Sequence, residues 1–293
     1  MQRSLLVIVV ASVLMLSLIV LPSQSAFGWG GGGGGGGGSG AGKSMSPTIF
    51  FPYTIAASEG QIFVVVPGDS KVKGYQYLSS GIIYDRNGNL VTEFGSLGAK
   101  DGQFQKPKGI DVSEDKIFVV DSSNYRIQVF DLDGNFLFKF GSKGKLDGQF
   151  DCPQDIKFYK NQIYVVDSDN HRIQIFDAEG QFIDMWNNIH RPDGITFGPD
   201  GNIYIAELNG MDGMEGCPGL GHRVSVYSKN GTLLARFGGE DEGEGAGDFI
   251  APHGIAVDSS GDIYVGEVSF SIRGRLLDPP RELKSLKKLI RLT

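Results

Sequence analysis

Along most of this chain, short apolar stretches are separated by polar, glycine-rich turns, and within many stretches apolar and polar positions alternate. Ile127-Gln128-Val129-Phe130 and Ile173-Gln174-Ile175-Phe176 show the pattern most clearly. A period of two, carried by β-branched and aromatic side chains, predicts strands rather than helices. Tight hairpins are predicted at Asn87-Gly88, Asp133-Gly134, Glu179-Gly180 and Asn230-Gly231, where a two-residue turn needs positive backbone angles.

The pattern repeats. Pro107-Lys108-Gly109-Ile110 is followed by Ile117-Phe118-Val119-Val120-Asp121 and then by Arg126-Ile127-Gln128-Val129-Phe130-Asp131. The same order returns from Pro153, with Ile163-Tyr164-Val165-Val166-Asp167 and Arg172-Ile173-Gln174-Ile175-Phe176-Asp177. It returns again from Pro192, from Pro252 and, in divergent form, from Pro52. Each copy reads as four short strands, and four strands per repeat at a period of about 40–60 residues are the mark of a propeller. The expected fold is therefore all-β: a β-propeller of four-stranded blades, with five copies visible and a sixth not found. The last copy shows three strands, with Lys284 to Leu292 as the third. Pro47 to Phe51 is the expected source of its fourth, which would close the ring and cover both sheet edges.

The recurring Pro-x-Gly-Ile, Ile-Tyr-Val-x-Asp and Asn-x-Arg-Ile-Gln-Val-Phe-Asp spacings resemble the NHL repeat, from Pro52 nearly to the end. Ala251-Pro252-His253-Gly254-Ile255 and Leu276-Leu277-Asp278-Pro279-Pro280-Arg281-Glu282 resemble a subgroup of microbial six-bladed NHL proteins. That subgroup is distantly similar to peptidylglycine amidating lyases. The resemblance implies a histidine from each of three blades holding a catalytic zinc. Only His253 stands at such a position; His171, His190 and His222 fall elsewhere in their repeats.

The amino-terminal region adds two segments to the picture. Residues 1–26 carry a basic tip, an uncharged run from Leu5 to Leu21 and small residues at Ser23, Ser25 and Ala26, the pattern of a signal peptide or amino-terminal anchor. Residues 27–46 form a glycine-rich linker around Gly30 to Gly38, which has no side chains to bury. The propeller occupies 47–293, and export makes the chain secreted or extracellular. A net charge of −7 counts against nucleic acid as a partner, and a membrane enters only through an uncleaved amino-terminal segment.

Candidate chemistry gathers on the face that carries the loops into each first strand and the turns between second and third strands. One set follows each proline: Tyr53, Lys108, Gln154, Asp193 and His253. A second set closes the second strands: Asp121, Asp167, Glu207 and Glu267. Those four carboxylates have two readings. They form a ring able to take a polar ligand or a hard cation such as calcium, or they pair with Arg126, Arg172 and Arg223 as a structural salt bridge in each blade. Glu207, Glu267 and His253 are the candidates for a metal, calcium or zinc, though no cofactor is predicted.

Further loops change the picture less. The acidic loop Gly239 to Asp248 aligns with the inter-blade connectors Gly95–Phe104 and Gly141–Phe150, and its acids lack the spacing of a calcium loop. Leu208 to His222 is an insertion containing Met211 and Met214, where binding specificity commonly sits. Cys152 and Cys217, in an oxidising compartment, are expected to pair. Asn230-Gly231-Thr232 is a glycosylation sequon. The basic tail, Arg273 to Arg291, reads as charged strand edges. The sequence therefore favours an extracellular binding module for a protein, peptide or glycan on the loop face. A metal-dependent lyase or hydrolase is the alternative.

Overall fold

A computed structural model describes residues 54–58, 60–66, 79–187, 189–208, 221–239 and 242–291. The amino-terminal signal and linker segments, Pro47 to Phe51, Tyr53, Cys217, Met211 and Met214 lie outside these residues. Among the described residues no helix is long and apolar enough to cross a membrane.

The regular structure of the described chain is almost entirely strand, arranged as a five-blade propeller. The first blade holds β1 (Thr54–Ser58), β2 (Gln61–Val66), β3 (Ser80–Asp85) and β4 (Leu90–Phe94). The second holds β5 (Pro107–Val112), β6 (Lys116–Asp121), β7 (Arg126–Asp131) and β8 (Phe136–Phe140). A two-residue parallel pair, β9 (Ser142–Lys143) and β10 (Gln149–Phe150), leads into the third blade. That blade holds β11 (Pro153–Tyr159), β12 (Gln162–Asp167), β13 (Arg172–Asp177) and β14 (Phe182–Asn187). The fourth is β15 (Pro192–Phe197), β16 (Ile203–Glu207), β17 (Arg223–Tyr227) and β18 (Leu233–Phe237). The fifth has three described strands, β19 (Pro252–Val257), β20 (Ile263–Glu267) and β21 (Leu286–Leu289). Within each blade, consecutive strands pair antiparallel in sequence order.

The alternation explains this layout. In β12, Ile163 and Val165 point to one side of the sheet and Tyr164 and Val166 to the other. The first pair packs against the second blade, the second against the fourth. A blade is thus buried on both faces, which is why its middle strands are nearly continuous apolar runs. Cores fill the seams between blades one and two, two and three, three and four, and four and five.

The innermost strands are stitched directly to one another. The backbone N–H of Phe158 donates to Asp111 Oδ2 at 2.7 Å, and that of Ile195 to Asp155 Oδ2 at 3.1 Å. A Cβ on Gly194 would meet the carbonyl oxygen of His253 at 2.3 Å, so the fourth and fifth blades approach closely only because that position is glycine. This close seaming holds the first residues of the inner strands in a fixed arrangement at the axial mouth.

Candidate functional site at the axial mouth

The carboxylates that close the second strands are committed to the protein. Asp121 is fully buried; its Oδ1 accepts from the Gln105 backbone at 2.7 Å. Its Oδ2 accepts from Arg126 Nε (2.8 Å), Asn124 (2.8 Å) and Gln128 (3.0 Å). Arg126 then donates to the carbonyls of Lys100 and Gln103 in the preceding connector. Asp167 repeats this clasp with Asp151 N–H, Arg172, Asn170 and Gln174. Burial pushes both carboxyls above the ordinary value, while these hydrogen bonds pull them down.

The fourth and fifth blades use glutamates. Glu207 accepts from the His190 backbone at 2.8 Å, from Arg223 at 2.9 Å and from Ser225 Oγ. Glu267 accepts from the backbones of Ile250 (2.5 Å) and Ala251 (2.9 Å), and Lys287 Nζ lies 3.7 Å from its other oxygen.

Among the described residues no three His, Cys, Asp or Glu side chains are grouped to hold a metal ion. Glu207 spends both oxygens on backbone and side-chain donors, whereas Glu267 spends Oε2 on two backbone donors and keeps Oε1 buried without a hydrogen-bond partner, 3.7 Å from Lys287 Nζ. His253 Nε2 lies 2.9 Å from Asp193 Oδ2.

The four described residues that follow an inner-strand proline meet in two pairs. Lys108 Nζ donates to Gln154 Oε1 at 2.6 Å across the seam of blades two and three, and His253 meets Asp193 across the seam of blades four and five. Asp193 is 3 % exposed and Gln154 7 %, so each pair holds a buried acceptor against a half-buried donor or imidazole. Cys152 Sγ stands 3.7 Å from Lys108 Nζ and 3.2 Å from Gln154 Nε2. Burial pushes its thiol up, in spite of Lys108 nearby, which keeps it protonated and a poor nucleophile. The mouth therefore presents an amine and an amide on one side and a carboxylate–imidazole pair on the other.

Backbone geometry marks residues that motif reading passed over. Lys106, Cys152 and Arg191, each just before a proline, have φ of 53°, 53° and 39°. A residue before proline avoids the right-handed helical region, and here three take the left-handed one. Tyr125, His171 and His222, just before the clasp Arg of their blades, have φ of 55°, 56° and 53°. Each such non-glycine residue costs about 1–3 kcal/mol and persists where its surroundings hold it. The two sets meet where the Arg191 backbone donates to His171 Nδ1 at 3.1 Å. The sequence signal was available: each position directly precedes a recurring Pro or Arg.

The acidic loop and the basic tail, read separately in the sequence, meet in space. Arg273 pairs with Glu242 at 2.9 Å and Arg281 with Glu244 at 2.8 Å. Lys287 donates to the carbonyls of Gly243 (3.0 Å), Gly245 (3.2 Å) and Asp248. The loop is thus a pinned connector. Leu208, at the start of the insertion, is buried against Ile250, Ala251 and Leu283.

The family described as a 6-bladed beta-propeller, DUF5128, matches residues 96–187, under half of the chain. No curated protein matches in sequence. Among solved structures, a protein of unknown function from Bacteroides caccae is 13 % identical, with 82 % of this chain and 78 % of that chain covered and a TM-score of 0.57. Virginiamycin B lyase from Staphylococcus aureus is 13 % identical over 83 % of this chain and 70 % of its own, at a TM-score of 0.51. XC5397 from Xanthomonas campestris, a gluconolactonase, is 14 % identical over 75 % and 71 %, also at 0.51. Identities this low speak to the fold alone. By its sheets, its seams and these likenesses, the chain is a β-propeller.

Proposed function

We propose that this protein is an extracellular, NHL-type binding module that recognises a protein, peptide or glycan on its loop face, at the axial mouth. The observation that carries the reading is the set Lys108, Gln154, Asp193 and His253. Four innermost strands each deliver a polar side chain at the same strand position, and these join in two pairs across the seams. Donors and acceptors fixed in this way favour oriented binding over the solvation of separate surface charges. A link between Cys152 and Cys217, which would fix the neighbouring insertion over this face, belongs to the same reading.

The metal-dependent lyase or hydrolase reading has less support, since Glu207 and Glu267 already serve their own blades. Arrays of immobilised peptides and glycans, probed with the full chain, test the proposal. Hits should weaken at least tenfold in Lys108→Met and His253→Gln, with circular dichroism showing that both variants keep the native strand content. Hits indifferent to both variants would remove the mouth from the account. One divalent ion per chain, found by elemental analysis after purification without chelators, would restore the metal reading.

A further inference from the structure

Four of the five blades are led in by a bulky apolar side chain three residues before the proline of the inner strand. These are Phe104, Phe150, Ile189 and Phe249, all fully buried. Each lies in the core shared by its own blade and the preceding one. The first blade starts from Pro52, and the residue at the same offset is Ile49, outside the described residues.

The first blade carries the surface such a plug would need. Where the third blade offers Ile156, Ile163, Val165 and Phe176 to Phe150, the first has Ile55, Ile62, Val64 and Tyr84 in register. These residues form a cluster with Val66 and Ile82, in which every described member belongs to the first blade. Val66 is 5 % and Ile82 1 % exposed, so both sit away from solvent without a described residue of another blade in their cluster.

A compensating exchange of polarity strengthens the match. In the second blade, Asp121 accepts from the backbone of Gln105 and Gln128 donates to that of Gln103, the two residues flanking Phe104. The first blade puts Val66 at the Asp121 position, Ile82 at Gln128 and Ser80 at Arg126, as the strand registers show. The residue after the plug changes in the same sense, from Gln105 to Phe50. The receiving surface around Val64, Val66 and Ile82 is apolar, and so in sequence is the stretch Ile49-Phe50-Phe51.

We propose that Ile49 and Phe50 fill the seam in front of the first blade, seated on Val64, Val66 and Ile82, as an apolar substitute for the polar clasp. Pro47 to Phe51 then acts as a plug rather than as a fourth strand for the last blade. This inference does not depend on the proposed function.

The test uses the full chain. Ile49→Asp and Phe50→Asp should each lower Tm by about 5–10 °C, while Val91→Asp, an exposed aliphatic on β4, should move it by less than about 2 °C. Should the aspartate variants fail to fold, Ile49→Ala followed by hydrogen exchange reads the same contact. Exchange should rise more than tenfold at Val64–Val66 and stay unchanged at Val165–Asp167. An Ile49→Asp variant as stable as Val91→Asp would overturn the proposal. So would exchange rising at Leu286–Leu289 instead, which is the outcome for a segment pairing as a fourth strand.

Discussion

The third and fifth blades close their second strands with the same device built from different parts. In the third, Asp167 takes four hydrogen bonds, and Arg172 forwards the connection to the carbonyls of Leu146 and Gln149. In the fifth, Glu267 reaches two backbone N–H groups directly, and Lys287 stands off at 3.7 Å while donating to the connector. Guanidinium is a planar fork able to bind a carboxylate and two carbonyls together, whereas ammonium is a point charge. The fifth blade makes up the difference with its tail, whose Arg273 and Arg281 hold the connector by surface pairs. The comparison separates what a blade needs, a fixed incoming connector, from the residues that happen to fix it.

The sharpest way to break the comparison is to remove each carboxylate. Asp167→Ala leaves Arg172 buried without its charge partner, a change that costs about 3–5 kcal/mol. Thermal unfolding should register it as a fall in Tm of roughly 10 °C. Glu267→Ala should cost no more than about half of that, because Lys287 keeps its three carbonyl acceptors. Equal losses in the two variants would mean that the clasps are equivalent in spite of their geometry.

A pH profile sharpens the comparison at intermediate size. His171 caps the turn before the third blade's Arg172, and His190 leads into the fourth blade. Burial pushes both below the ordinary value of 6.5. A depressed histidine contributes stability that is present above its unfolded pKa and is lost as pH falls through the folded one. Stability should therefore decline on acidification from about pH 7 to pH 5, and His171→Gln combined with His190→Gln should flatten that limb. The fifth blade has no histidine at either place, so the clasp of Glu267 should not contribute to this slope. An unchanged slope in the double variant would assign it to other groups.

Much of this was legible in the chain because repetition amplifies weak signals. The strand order, the hairpins and the Asp–Arg pairs recur in register, so each copy corroborates the others. The incoming plug at Phe104, Phe150, Ile189 and Phe249 was equally periodic, but an apolar residue in a connector carries no chemical label. What stayed hidden depends on contacts between copies. Lys108 meeting Gln154, and Asp193 meeting His253, depend on how closely two inner strands approach, which Gly109 sets for the first pair and Gly194 for the second. The joining of the acidic loop to the basic tail escaped for the same reason. Opposite charges far apart in sequence say nothing about proximity until the fifth blade places the tail beside the loop.

The smallest effect concerns that tail. Arg281 and Glu244 are paired at 2.8 Å with side chains 58 % and 33 % exposed. The ammonium of Lys287, by contrast, is mostly buried and reaches three carbonyls of the same loop. Water screens the first contact and solvates its partners when it breaks, so Arg281→Ala should cost less than about 1 kcal/mol, and less still at high salt. Lys287→Ala, by removing a mostly buried ammonium that ties three loop carbonyls together, should cost more and keep more of its cost in salt. Urea titrations of both variants at low and high ionic strength would measure this. An Arg281→Ala loss as large as that of Lys287→Ala would show that the fifth blade is held from its surface rather than from within.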